Sequence, residues 1–544
     1  MSHLIARTES AYDYPLLIKN LLRAPVASNP DQEIVYRGAV RLTYRQLLDR
    51  IRRLASALVS MGIKPGDTVA VMDWDSHRYL ECFFAVPMIG AVLHTINVRL
   101  STEQLVYTIN HAEDKLIIVN SEFLPILDQI HGRMDTVSKL VLIDESGTLP
   151  TSRFEGEYEY LLAAATPMAE FPDLDENTRA TTFYSTGTTG MPKGVYFSHR
   201  QLVLHTLGTI ASLGTAVSQG RFHREDVYMP LTPMFHVHAW GIPYVATMLG
   251  VKQVYPGKYI PETLLKLLVQ EKVTFSHCVP TILNMLLSSP AAANVDLSHW
   301  KVLIGGAALP RSVAIAALTR GIDVAVGYGL SETGPVLTIS QLSTEQLKLG
   351  LEEQADLRCR TGSPFAMVDV KVVDENGAEV PRDDSTAGEI VVRAPWLSQG
   401  YLKDETNSQR LWAGGWLHTQ DVASRNAAGS IRITDRLKDI IKVGGEWISS
   451  LSVEDALSTH PAVAESAVIG QPDVNWGEVP LALVVLKKDQ SATSGELATH
   501  VKSYADSGVL PREAFLVKVK FVDAIDKTSV GKINKVALRT KHLS

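Results

Sequence analysis

Cysteine is scarce. The 544-residue chain has three, Cys82, Cys278 and Cys359, far apart and without the paired spacing of a disulfide framework or a zinc site. A secretory leader is lacking as well: residues 1–10 read MSHLIARTES, with no basic start, apolar middle or small-residue cleavage site, so a reducing, cytoplasmic location is expected. Long hydrophobic runs are absent too. The longest, residues 83–93, is interrupted by Pro87 and Gly90 and stops at His94, well short of the ~20 residues that cross a bilayer. That argues against a transmembrane segment and leaves peripheral membrane contact open. No basic block stands out among 52 lysines and arginines set against 59 acidic residues, a net charge of -7, which argues against nucleic acid as the main partner. Internal repeats and low-complexity linkers are missing, so the parts of the chain must join directly.

What is present suits a globular enzyme. Hydrophobic residues make 45% of the chain and charged residues 20%, enough to bury a sizeable interior, and the length exceeds what one core usually serves. Short β-rich runs at 68–72 and 139–143 alternate with helical patterns such as 43–61, which predicts an α/β fold with helices covering mostly parallel sheets. From Val370 the texture changes to short strands, at 370–374, 388–393 and 430–434, with a turn at Glu375-Asn376-Gly377, and a small β-rich subdomain is expected there. Beyond residues 435–439 a compact α+β unit begins, with helices near 452–459 and 495–505 and strands near 465–469 and 481–486. The expected organisation is a large N-terminal domain over 1–436 and a small C-terminal domain over 437–544.

The most informative segment is residues 184–194, YSTGTTGMPKG, a run of hydroxyls and glycines following a predicted strand. Backbone N–H groups at Gly187 and Gly190, hydroxyls of Ser185, Thr186, Thr188 and Thr189, and the charge of Lys193 together suit phosphate oxygens. The Walker pattern is not met, because Pro192 stands where its second glycine should be. A flexible surface loop is the alternative reading of such a run taken alone. The segment resembles the phosphate loop of the acyl-adenylate-forming enzymes, which include acyl-CoA synthetases, beetle luciferases and the adenylation domains of peptide synthetases, and it matches that family's pattern throughout.

Further motifs follow in the family's order over roughly residues 40–540. Pro233-Met234-Phe235-His236 resembles the aromatic-His motif between the ATP and acyl sites. Gly305-Gly306-Ala307 follows a strand-like run at 301–304, where small side chains leave room for nucleotide and carboxylate. Gly327-Tyr328-Gly329-Leu330-Ser331-Glu332-Thr333 resembles the Y-G-x-[ST]-E motif, which implies stacking of Tyr328 on adenine and a magnesium site at Glu332 with Ser185. Trp416-Leu417-His418-Thr419-Gln420-Asp421 resembles the family's T-G-D, with Gln420 in place of glycine, and Asp421 is the implied ribose ligand. Arg436 resembles the arginine that contacts ribose or phosphate. Lys438 falls at the hinge between the two domains. Lys442-Val443-Gly444-Gly445-Glu446-Trp447 resembles the loop lining the pantetheine tunnel. Thr528-Ser529-Val530-Gly531-Lys532 resembles the motif whose lysine bridges the attacking carboxylate and the α-phosphate, making Lys532 the first catalytic choice, beside His236 and Glu332. Lys527 and Lys535 read as solvated charges.

The resemblance implies a mobile C-terminal domain that presents Lys532 for adenylation and then the Gly444 loop for thiolation. It also implies ATP, Mg²⁺ and coenzyme A, and possession of Lys532, Glu332 and the whole phosphate loop argues against a relative that has lost its chemistry. Only twelve residues follow Lys532, so a separate thiol acceptor is expected, coenzyme A rather than a carrier protein. Residues 235–240 and 444–450 look most like bacterial medium- and long-chain fatty acyl-CoA synthetases, in which Trp240 would gate the acyl tunnel. Relatives that activate methylmercaptopropionate share the signature, so a short thioether acid stays open, as do a packed role for Trp240, an adenylating enzyme that serves a carrier, and a luciferase-like oxygenase. Likeness to the fatty acyl enzymes also implies a homodimer.

Overall fold

The structure, a computed structural model, describes residues 3–145, 152–185, 191–217, 220–444, 446–528 and 532–543. Among them the chain builds a nine-stranded and a seven-stranded sheet, a four-stranded sheet, and a five-stranded sheet formed by residues 441–521. The expected α/β class, with a large N-terminal and a small C-terminal domain, is what the chain adopts.

Local chemistry explains the elements. Helix Tyr44–Ser60 starts at a capping box, in which the Thr43 side chain accepts from the Gln46 backbone and the Gln46 side chain from that of Thr43, satisfying two otherwise orphaned N–H groups. Its Leu47, Ile51, Leu54 and Leu58 recur at helical spacing and are all buried, as an amphipathic face requires. Strand Thr68–Met72 is buried at every position, the mark of a parallel strand covered on both faces. In the seven-stranded sheet it pairs in parallel with Val92–Thr95 and Asp114–Asn120.

In the nine-stranded sheet, strands Val227–Leu231, Phe275–Cys278, Lys301–Ile304 and Asp323–Gly329 lie side by side and parallel. Their carboxyl ends run into residues 233–236, 279, 305–306 and 330–333, so the sheet delivers these segments to one edge, where ligands bind in open α/β sheets. The four-stranded antiparallel sheet holds Asp369–Val373, Gly388–Arg393, Leu417–Arg425 and Ile431–Arg436. Its first turn uses Gly377 at φ 80°, as anticipated from the Asn-Gly pair. The five-stranded sheet begins with Ile441–Val443, five residues after the previous sheet ends at Arg436.

Candidate active site

A small cavity of about 30 Å³ lies at the carboxyl edge of the nine-stranded sheet. Its walls include His236, Trp240, Gly305, Gly306, Gly327, Tyr328, Gly329, Leu330, Ser331 and Lys532. Sequence motifs separated by almost three hundred residues thus meet in one place. Glycine is required at two of these points. A Cβ on Gly305 would lie 2.9 Å from the Gly327 carbonyl oxygen and 3.0 Å from the Trp240 ring, and one on Gly329 would lie 1.8 Å from the Pro335 carbonyl oxygen.

Lys532 reaches the cavity from the C-terminal domain. A Cβ on Gly306 would lie 3.2 Å from Lys532 Cε and 3.8 Å from Nζ. Behind it, Lys532 N donates to Thr528 Oγ1 at 3.2 Å. Burial lowers the ammonium to about 8, and the Arg436 guanidinium adds to the shift while Asp421 and Glu332 oppose it. His236 is pushed down to about 3, by burial first and then by the charges of Lys532 and Arg99. It is a neutral imidazole at any physiological pH, able to orient a ligand by hydrogen bonding and not to carry a charge.

Tyr328, nearly buried, donates to Asp421 Oδ2 at 2.8 Å, while Arg436 Nε stands 3.3 Å from Asp421 Oδ1. Burial raises the Asp421 carboxyl, against the pull of Arg436. Gln420 takes φ 60°, the left-handed conformation that a glycine would adopt without strain. The substitution therefore keeps the turn and stores strain in it, and Asp421 still faces Tyr328.

Glu332 Oε1 accepts a hydrogen bond from Tyr401 at 2.7 Å, and Lys193 Nζ sits 4.6 Å over the Tyr401 ring. Tyr401 thus ties Lys193, next to strand Gly194–Ser198, to the Glu332 turn. Sequence reading does not single it out, because a Gly-Tyr pair in a polar stretch carries no motif of its own. Ser185 follows strand Arg179–Tyr184, and its backbone N–H donates to the Lys193 carbonyl at 3.0 Å. Among the described residues no group of three or more His, Cys, Asp or Glu could hold a metal. A metal at Glu332 would take most of its ligands from phosphate and water, which suits Mg²⁺ and its habit of binding through one or two carboxylates.

Several expected residues lie elsewhere. Thr333 is fully buried and its hydroxyl, which accepts from Leu330 N at 2.9 Å, also donates to the Pro335 carbonyl; that side chain shapes the turn and is not part of the cavity wall. Ala307 is exposed and outside the cavity wall. Lys442, Gly444 and Trp447 also lie on an exposed surface apart from the cavity, with Lys442 Nζ 5.4 Å over the Trp447 ring. Lys438 is exposed in the link between the last two sheets. Thr186, Gly187, Thr188, Thr189, Gly190 and Gly445 lie outside the described residues. Lys535 corrects the sequence reading: it is buried, with Nζ 2.8 Å from Glu454 Oε1.

The loop that carries His236 has an unusual backbone. Val237, His238, Ala239 and Trp240 have φ of 49°, 53°, 47° and 60° and Gly241 follows at 70°, a left-handed turn in which each L-residue costs roughly 1–2 kcal/mol. Such a turn persists only where its surroundings over-determine it. The Trp240 ring lies 5.0 Å from that of His277.

The fold thus gathers motifs from distant parts of the chain around one small cavity, which Lys532 enters from the C-terminal domain. Residues 22–402 match the family described as AMP-binding enzyme and residues 452–532 the AMP-binding enzyme C-terminal domain. The chain belongs to this family. A long-chain-fatty-acid–CoA ligase of Thermus thermophilus is 40% identical over 92% of this chain and 90% of its own. A 3-methylmercaptopropionyl-CoA ligase of Ruegeria pomeroyi is 37% identical over 96% and 97%. An anthranilate CoA ligase solved with anthranoyl-AMP superposes with a TM-score of 0.85 at 23% identity, over 97% of this chain and 98% of its own, a likeness of fold. Within the family the chain is an AMP-forming acyl-CoA ligase.

Proposed function

We propose that the chain activates a medium- or long-chain fatty acid as its acyl-adenylate and transfers the acyl group to coenzyme A, releasing pyrophosphate and AMP. One observation carries this reading: Lys532 enters the same small cavity as His236, Gly306 and Tyr328. There its ammonium neutralises charge as a carboxylate oxygen attacks the α-phosphorus of ATP and pyrophosphate leaves. Neutral His236 orients the acid, Asp421 and Arg436 hold the ribose, and Ser185 and Lys193 serve the phosphates. Mg²⁺, held through Glu332 with Ser185, supplies further neutralisation of phosphate charge when bound.

In the second half-reaction the thiolate adds to the acyl carbonyl and AMP departs. The Gly444–Trp447 hairpin stands outside the cavity while Lys532 is inside, which supports a rotation of residues 437–544 about Lys438 between the two steps. Trp240, closing the cavity against Gly305, is the proposed gate of the acyl channel. The small cavity and the likeness to the methylmercaptopropionyl enzyme favour one second reading, a short thioether acid. Coenzyme A-dependent AMP release across acids from propionate to palmitate, with methylmercaptopropionate beside them, decides. Turnover rising with chain length supports the fatty acid reading, and methylmercaptopropionate alone being used would replace it.

A further inference from the structure

Asp75 is an expensive group that the chemistry above does not use. It follows strand Thr68–Met72 of the seven-stranded sheet and is 3% exposed. Its Oδ1 accepts from the backbone N–H of Met234 at 2.8 Å and its Oδ2 from the Tyr259 hydroxyl at 2.5 Å. Burial raises the carboxyl to about 7, against the donors Tyr259 and Met234 and the charge of Arg99, with Asp73 pushing the same way as burial. Removing such a group from water is worthwhile only where its bonds fix something.

What they fix is the start of the left-handed turn. Met234 follows Val227–Leu231, and Tyr259 follows Lys252–Tyr255, both in the nine-stranded sheet. One carboxylate thus fastens two loops of one sheet to the other sheet. Thr95 adds a second anchor from the seven-stranded sheet, its hydroxyl donating to the Phe235 carbonyl at 3.0 Å. The next residues are His236 and the strained stretch that ends in Trp240. Holding a backbone N–H and a carbonyl at successive residues sets the direction in which the following side chains emerge.

We infer that Asp75 and Tyr259 are a positioning pair for the acid-binding wall, holding the Met234 backbone so that the left-handed turn aims His236 and Trp240 into the cavity. The inference rests on the reading that the acid reacts between those two side chains. Neither residue is among those lining the cavity; the pair acts through the Met234 backbone, so its effect falls on the acid and not on ATP.

The test compares Asp75→Ala, Asp75→Asn and Tyr259→Phe with the unaltered full chain in two measurements. In steady-state pyrophosphate release with the best acid, Asp75→Ala and Tyr259→Phe should raise KM for the acid at least tenfold and leave KM for ATP within twofold. Asp75→Asn, which keeps an acceptor for Met234 N–H, should recover to within about threefold. In hydrogen exchange on the ligand-free protein, the first two variants should speed exchange of the Met234 amide at least tenfold, with helix Tyr44–Ser60 unchanged. An acid KM within twofold of the unaltered chain, or equal rises for acid and ATP, overturns the inference. Should Asp75→Ala fail to fold, Tyr259→Phe, which loses one oxygen, decides alone. If the unaltered chain activates no acid, the functional reading falls, and the exchange rates still decide whether the pair holds the turn.

Discussion

An ammonium group enclosed by glycine backbone and an imidazole loses hydration, and Lys532 titrates near 8 chiefly for that reason, Asp421 and Glu332 offsetting only part of the loss. The inserted pose binds the proton less tightly than an exposed lysine of pKa near 10.4 would, so insertion without ligands strengthens as pH rises between these values, by at most about tenfold per unit. Charge is needed for adenylation, however. The kcat/KM for pyrophosphate release, which reports the free enzyme, should therefore fall above about pH 8, and Lys532→Arg, charged throughout, should lose that limb whatever its absolute rate. A second prediction concerns Gln420, whose φ of 60° is left-handed. Gln420→Gly should leave activity intact and raise the unfolding free energy by up to about 1 kcal/mol, read by denaturant titration; a loss of stability would show the turn to be unstrained. The sequence announced the departure at Gln420 but not its outcome, since a side chain's tolerance of positive φ depends on neighbours such as Glu389, whose carboxylate accepts from Gln420 N at 2.9 Å.

At the scale of elements, periodic segments were legible and buried polar contacts were not. Helix Tyr44–Ser60 and strand Gly388–Arg393 fall where apolar spacing and flanking turn residues place them, because each is decided by its own residues. Lys535 reads as a solvated terminal charge because the Glu454 that pairs with it lies some eighty residues earlier in sequence. Its ammonium also donates to Ser450, which in turn donates to Asp435 Oδ2 at 2.5 Å through Oγ and at 2.6 Å through its backbone. This network ties the helix after Lys532 to the end of the four-stranded sheet. Lys535→Ala leaves Glu454 buried without its cation and should destabilise the C-terminal domain by about 3 kcal/mol, measured as local hydrogen exchange in helix Ser450–Ser458. Lys535→Arg should recover part of that loss. The left-handed turn was likewise illegible: Val237, His238, Ala239 and Trp240 carry no turn signature, and tertiary anchors impose the conformation.

At the scale of the molecule, the order of motifs along the chain was the most legible feature, and the cavity gathers His236, Gly306, Tyr328 and Lys532 from it. Order alone says nothing of pose. The structure has Lys532 in and the Gly444 hairpin out, the arrangement proposed above for adenylation, and the Arg539 guanidinium, 2.7 Å from Asp439 Oδ1, braces the link beside Lys438. Lys438→Pro stiffens that link and should spare adenylation while slowing thioester formation at least tenfold, as measured by comparing pyrophosphate with acyl-CoA production.

The central claim is that Lys532 serves the first half-reaction and leaves for the second. The most direct measurement supplies purified Lys532→Ala with preformed acyl-adenylate and coenzyme A, and separately with acid and ATP. The account predicts acyl-CoA formation from the adenylate within about threefold of the unaltered chain, and adenylate formation from acid and ATP reduced at least a hundredfold. Equal losses in both half-reactions, or none in the first, would contradict it.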